Sequence, residues 1–259
     1  AVLVSGPLAF CNGDSVLLST IDTAADYQWY RDGIALAGET NDTLVAFLSG
    51  DYHVTFSIGL DSFALAPVTV LAQPYPAVNF TIPDTVLFVG EEADTLLGNF
   101  APDGEFYGSL LSDEGNGTGV FTPAAAGVYD ILYTYADSVG CRDTIVRQII
   151  VQDPAEIGFY PVFSDGPESA NASLEVRMTR PLLADVFIEY YSVDGTAVSP
   201  ADFTATALND TLFIQAGDSA GTIQVAVFDD PDVESDEDFQ LYLANPSRGL
   251  LLGANDSIN

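Results

Sequence analysis

Three observations predict an all-β protein, built as three tandem β-sandwiches in a rod. Apolar runs of strand length recur along the chain, separated by turn residues such as Asn12-Gly13-Asp14, Asp32-Gly33 and Ser49-Gly50-Asp51. No stretch carries an amphipathic helical period over three turns. Short proline-containing junctions at Gln73-Pro74-Tyr75-Pro76 and Gln152-Asp153-Pro154 divide the 259 residues into pieces of sandwich size, 1–73, 74–153 and 154–259.

Charge narrows the function classes. Six basic residues face 38 acidic ones, a formal net charge of −32. Nucleic acids and anionic membranes are bound through basic patches, which this chain lacks. The balance favours solubility, repulsion between copies and cation binding. No run of about 18 apolar residues exists to span a bilayer.

The first segment has apolar runs at Val2–Val4, Val16–Leu18, Tyr27–Tyr30, Thr43–Leu48, Tyr52–Ile58 and Val68–Leu71. Cys11, Trp29 within Tyr-Gln-Trp-Tyr, and Gly50-Asp51-Tyr52 follow in order. This arrangement resembles the immunoglobulin-like repeats of large secreted proteins from Bacteroidetes-type bacteria. The resemblance implies that Trp29 packs against the strand carrying Cys11 and that Tyr52 forms a tyrosine corner. Val54 stands where the second cysteine of that pattern would be. In the second segment, Gly119–Pro123, Ala126–Tyr129 and Tyr133–Tyr135 with Cys141 resemble another sandwich repeat of the same kind.

The third segment is organised around Ile223–Gly249. Val225, Val227 and then Phe239, Leu241 and Leu243 alternate as in half-buried strands. Between them lie Asp229, Asp230, Asp232, Glu234, Asp236, Glu237 and Asp238, with no base among them. A divalent cation would relieve their repulsion, because Ca²⁺ takes six to eight oxygen ligands. A solvated acidic turn is the other reading, and the loop alone leaves both open.

Upstream run Val186–Tyr190, Asp194-Gly195-Thr196-Ala197, Asp202-Phe203, Leu212–Ile214 and Ala216-Gly217. With the acidic loop and Leu241-Tyr242-Leu243-Ala244-Asn245-Pro246, this order resembles the Calx-beta domain over roughly 156–259. The resemblance implies a seven-stranded immunoglobulin-like sandwich that binds Ca²⁺ at one end. Its ligands would be Glu168, Asp202, Asp229, Asp230, Glu234 and Glu237, with Asp165 close to the place of Glu168. The family's closing strand has no counterpart before Asn259, so the last sandwich is expected to lack it. Its edges would then be open to a donated strand. The apolar, uncharged Ala1–Ser5 suits such a donor, and head-to-tail self-association would build a filament. The bland alternative, that Ala1–Val4 is the first strand of its own sandwich, has the greater weight.

Cys11 and Cys141 are the only cysteines, and they stand in different segments. Two buried free thiols are the favoured expectation. A bridge between them would need the first two segments, or two chains, to fold back on each other. His53, the single histidine, sits mid-strand without a nucleophile elbow, and no HExxH, CxxC or phosphate loop is present. Paired carboxylates abound, but three small sandwiches offer no cleft for glycosidase chemistry. The chain reads as non-catalytic.

Asp is followed by Ser or Thr eleven times, where 27 Asp and 37 Ser plus Thr would give about four by chance. Ten of these pairs precede Ala, Val, Leu or Ile. Asp-Ser/Thr-aliphatic resembles the O-glycosylation acceptor of Bacteroidetes-type bacteria, which implies glycans on Ser15, Thr23, Thr43, Thr85, Thr95, Ser138, Thr144, Thr211, Ser219 and Ser257. Strand starts built as Asp, hydroxyl, aliphatic explain part of the excess.

The sequence therefore points to a secreted or surface-anchored, calcium-stiffened and O-glycosylated protein of adhesion or of an extracellular fibre. Its adhesion or carbohydrate target is left open. Two other readings stand beside it. One is an accessory region of a large secreted enzyme; the other is a carbohydrate-binding module using aromatics such as Tyr190 and Tyr191.

Overall fold

The computed structural model describes residues 1–20, 26–167, 170–208, 210–229 and 236–259. Among them every regular element is a strand. Residues 1–73 contribute β1 (Leu3–Ser5), β2 (Ala9–Cys11), β3 (Val16–Ser19), β4 (Asp26–Arg31), β5 (Ile34–Ala35), β6 (Thr43–Ala46), β7 (Gly50–Ile58), β8 (Asp61–Ala64) and β9 (Val68–Gln73). Then come β10 (Phe80–Thr81), β11 (Val86–Phe88), β12 (Asp94–Gly98), β13 (Glu105–Tyr107), β14 (Leu111–Asp113), β15 (Thr118–Phe121), β16 (Gly127–Ala136) and β17 (Arg142–Gln152). The last eight are β18 (Ala155–Tyr160), β19 (Ala172–Met178), β20 (Val186–Asp194), β21 (Asp210–Ile214), β22 (Ala220–Val225), β23 (Phe239–Ala244), β24 (Leu250–Leu252) and β25 (Ser257–Ile258).

The chain forms two compact units, and residues 74–153 contribute to both. One comprises Ala1–Thr81, Thr95–Val120 and Ile131–Arg147; the other comprises Ile82–Asp94, Phe121–Asp130 and Gln148–Asn259.

In the first unit, sheets ordered β1-β3-β6 and β2-β9-β7-β4-β5 enclose a core of Phe10, Val16, Leu18, Trp29, Tyr52, Val54 and their neighbours. Alternation decides which side chains go inside: along β7, Tyr52, Val54 and Phe56 are buried while Asp51, His53 and Thr55 are not. Tyr52 donates its hydroxyl to the Leu48 carbonyl at 2.9 Å, the expected tyrosine corner. Trp29 is wholly buried, opposite Val54 across the β4–β7 ladder. His53 stacks on Tyr30 with centroids 4.8 Å apart, a structural role.

Cys11 lies on β2, which pairs in parallel with β9; Phe10 of that strand and Leu18 of β3 join Trp29 in the core. The expected free thiols are overturned, because Cys11 and Cys141 form a disulfide with Cα atoms 5.4 Å apart. Sequence spacing could not show this, since the partners are 130 positions apart. The N-terminal strand is seated on its own chain. Leu3–Ser5 pairs antiparallel with Ser19–Leu17 of its own chain, and Val2 packs on the same core.

Elsewhere in this unit β10 pairs with β12 and β13 with β16, placing Phe106 opposite Tyr133. Tyr133 threads between two glycines. A Cβ on Gly98 would lie 2.1 Å from its Cζ, and one on Gly104 would lie 1.9 Å from its hydroxyl oxygen. Only the missing side chains leave room for the ring, whose hydroxyl accepts from Phe100 N–H at 3.0 Å.

The second unit contains a sandwich of sheets β22-β19-β18-β24 and β21-β20-β23-β25. Its core runs through Ile157, Phe159, Val176, Ile188, Phe203, Ile223 and Leu241. Phe88, from β11, is buried in this same core. Gly249, at φ +80°, makes way for the Phe88 ring, since a Cβ there would come within 2.4 Å of it. Beside it, Arg248 pairs with Asp84 at 2.6 Å and with Glu91 at 3.5 Å. The edge of β23 expected to lack a closing strand carries β25, with Leu241 opposite Ile258 and Tyr242 opposite Ser257.

Candidate functional site

The acidic end of the sandwich in the second unit is assembled by three local devices. The first is a short ladder beyond the ends of the regular strands. Phe203 bridges Val227, Phe228 N–H donates to the Asp202 carbonyl at 2.8 Å, and Thr204 N–H donates to the Ala226 carbonyl at 2.9 Å. This register sets Asp202 beside Phe228, so Asp202 and Asp229 are carried at the same end. The ladder is anchored from beneath, where buried Phe203 stacks on Phe239 at 4.2 Å and 13°.

The second device is a turn that Asp202 caps itself. Ala201 and Asp202 N–H groups donate to the Val198 carbonyl at 3.0 and 3.1 Å. The Asp202 Oδ2 accepts from Val198 N–H at 2.7 Å. The carboxylate is thereby oriented by its own loop before any ligand arrives.

The third device joins Asp194–Ala197 to the far end of the acidic loop. Thr196 Oγ1 donates to Asp238 Oδ1 at 2.6 Å, and Asp238 N–H donates back to Thr196 Oγ1 at 2.8 Å. Ala197 N–H donates to the Asp238 carbonyl at 3.0 Å. Gly195 is required by close approach, because a Cβ there would meet the Asp238 carbonyl oxygen at 2.4 Å. Hydrogen bonds from Thr196, hydroxyl before backbone, and from Asn259 hold the Asp238 carboxyl below the usual aspartate range.

Of the six expected calcium ligands, Asp202 lies on the ladder, Asp229 directly follows its other strand, and Glu237 is exposed next to Asp238. Glu168, Asp230 and Glu234 lie outside the described residues. Among the described residues no three His, Cys, Asp or Glu side chains converge as a metal group. The donor chemistry nevertheless fits a hard cation: the end presents carboxylate and carbonyl oxygens, without nitrogen or sulfur ligands. Sequence reasoning named Thr196 and Asp238 but did not pair them. Their signal was the pairing of Asp194-Gly195-Thr196-Ala197 with Asp238-Phe239, which carry the cross-strand pair Asp194–Phe239.

The nine described acceptor hydroxyls, on Ser15, Thr43, Thr85, Thr95, Ser138, Thr144, Thr211, Ser219 and Ser257, all belong to exposed residues; Thr23 lies outside the described residues. Val16, Leu44, Leu96 and Ile258, which follow four of them, are buried. Most of these motifs stand at strand starts, so the alternation of the strand itself turns the hydroxyl outward and the aliphatic inward. The two tyrosines considered for sugar binding part company. Tyr190 packs against the core, where burial raises its phenol pKa, while Tyr191 stacks on Tyr242 at 5.3 Å.

Fold and site together define a chain of tandem immunoglobulin-like sandwiches, one of which ends in an acidic, cross-braced loop system. Residues 163–256 match the family model of the Calx-beta domain. Among solved structures, the chain is similar to the apo form of a Calx CBD1 domain, at 25% identity over 40% of this chain and 94% of that one, with a TM-score of 0.38. It is similar to the calcium binding domain CBD12 of CALX1.1 at 25% identity, over 40% of this chain and 44% of that one, with a TM-score of 0.37. A marsupial T cell receptor matches at 11% identity over 93% and 96% of the two chains, with a TM-score of 0.36. No curated protein matches the chain. Among the described residues, no helix is long and apolar enough to cross a membrane.

Proposed function

We propose that the chain is a non-catalytic extracellular structural or adhesion protein whose Calx-beta segment binds Ca²⁺, and that the ion stiffens the loops at that end of the sandwich. The observation that carries this reading is the ladder of residues 202–204 against 226–228, which carries Asp202 and leads directly into Asp229, within the segment that matches Calx-beta. Asp229, Asp230, Glu234 and Glu237 are close in sequence with no base among them, and the Asp202 carboxylate is already oriented by Val198 N–H. Ca²⁺ would supply the neutralising charge, with Asp202 and Asp229 as the anchoring ligands. Extracellular modules bind calcium at about 10⁻⁴–10⁻³ M, so the site would fill outside cells.

The disulfide supports the extracellular part of the reading, because such bridges persist in oxidising compartments. O-glycosylation of the exposed Asp-Ser/Thr-aliphatic hydroxyls belongs to the same proposal. Their outward position is necessary for a glycan, and strand geometry already accounts for it.

Calorimetric titration with Ca²⁺ tests the proposal. The wild-type chain should bind with measurable heat, and an Asp202→Asn, Asp229→Asn double variant should lose most of it. Equal heats from the two proteins would remove the site.

A further inference from the structure

The disulfide does more than join two strands. Cys11 ends β2, and Cys141 immediately precedes β17, so one covalent crosslink spans a separation of 130 residues. Both anchor points are braced. β2 is paired with β9, with Cys11 opposite Gln73, and Asn12 N–H donates to the Gln73 carbonyl at 2.7 Å. Cys141 sits at the end of a turn organised by Asp137. A single oxygen of that carboxylate, Oδ1, accepts from the N–H groups of Val139, Gly140 and Cys141 at 2.9, 3.0 and 2.9 Å. Cys141 itself is fully buried.

We infer that this bridge is a tension bypass. A pull applied at the two ends of the chain enters through the first residues, reaches Cys11, crosses the sulfur–sulfur bond and continues from Cys141 along β17. The intervening polypeptide is a closed covalent loop, so end-to-end tension cannot lengthen it. The loop contains the Trp29 core and Tyr133 with its two glycines. Those elements therefore cannot be drawn out by the pull, up to rupture of the bond. The residues that do bear tension are the short N-terminal stretch and the portion from Cys141 onward, which includes the Calx-beta segment. The element that calcium would stiffen thus lies on the loaded path, while the first sandwich from β3 onward lies off it.

This deepens the proposed structural function and rests on it for biological meaning, but the mechanical consequence follows from chain topology alone. A full chain tethered by its termini in an optical trap provides the test. A fully extended chain spans about 3.6 Å per residue. Without reductant, the maximum contour should fall short of the full 259-residue length by about 470 Å, the contour of the 130 bypassed positions. Dithiothreitol should release that length in one additional class of extension. One of its thiolates attacks the bridge to form a mixed disulfide. The second then closes the six-membered ring, leaving oxidised dithiothreitol and the thiols of Cys11 and Cys141.

A Cys11→Ser chain should show the long contour with or without reductant, a readout that does not require the variant to fold. Full-length extension of the wild type without reductant would overturn the inference. So would a contour that dithiothreitol does not change. The outcome is separable from the calcium reading: a chain silent in the calorimeter would still show the length difference if the bypass is real.

Discussion

Phe203 is the floor of the acidic end, and its removal should expose how much of that end is held by packing. The side chain is 0% exposed and lies flat on Phe239 at 4.2 Å, beneath the backbone bridge to Val227. Phe203→Ala removes a wholly buried ring, which typically costs about 3–5 kcal/mol. Roughly 0.5–1.5 kcal/mol of that belongs to the aromatic pair itself. Losing the ring also frees the ladder that sets Asp202 beside Phe228, so the calcium response should weaken with the fold. With a dissociation constant of about 10⁻⁴–10⁻³ M, about 10 mM Ca²⁺ stabilises a protein by roughly 1.4–2.7 kcal/mol. Urea unfolding with and without calcium measures both quantities. Wild type should show the full calcium gain, Phe203→Ala a lower baseline and a reduced gain, and Phe203→Leu an intermediate baseline. A baseline loss below about 1 kcal/mol, or an undiminished calcium gain in Phe203→Ala, would refute the reasoning.

Gly98→Ala should drive a methyl group into Tyr133, at an overpacking cost of about 1–3 kcal/mol. Loss of the hydrogen bond between Phe100 N–H and the Tyr133 hydroxyl would add about 1 kcal/mol; an unchanged urea midpoint would show that the ring is not pinned. Acid should also loosen the acidic end. The Asp238 carboxyl is held below its ordinary range, chiefly by Thr196, so its stabilisation is present above the unfolded value and is lost as pH falls through the lower folded one. Thr196→Val should flatten that acid limb in a series of unfolding curves, and an unaltered limb would count against the latch. Asp94 carries the opposite sign: burial, then Asp84, raises its pKa. Its contribution therefore grows as pH falls through the raised value, and Asp94→Asn should abolish that growth. Protein from its native source should exceed the 27.4 kDa of the bare chain, with the added mass on the Asp-Ser/Thr-aliphatic hydroxyls. An unmodified intact mass there would end the glycan proposal.

Strand positions were legible because burial on one face imposes a period of two, and local sequence suffices to express it. The runs Val16–Leu18, Tyr27–Tyr30, Tyr52–Ile58 and Val68–Leu71 coincide with β3, β4, β7 and β9, and the Tyr52 corner could be read from Gly50-Asp51-Tyr52. The acidic loop was equally plain, since charge density is a property of composition. Pairing partners were not legible, because adjacency in space leaves no local mark. The Cys11–Cys141 bridge, the insertion of Phe88 beside Gly249, and the seating of β1 against β3 each join residues that no periodicity connects. The same holds at the site. Sequence motifs could nominate Asp202 and Asp229, but only the register of residues 202–204 against 226–228 carried them to the same end. Asp238 was one of seven carboxylates in the acidic run, and only the fold turned its carboxylate toward Thr196. Local chemistry determines which stretches become strands and which carry charge; the tertiary structure decides which of them meet, because that choice depends on the packing of the whole core.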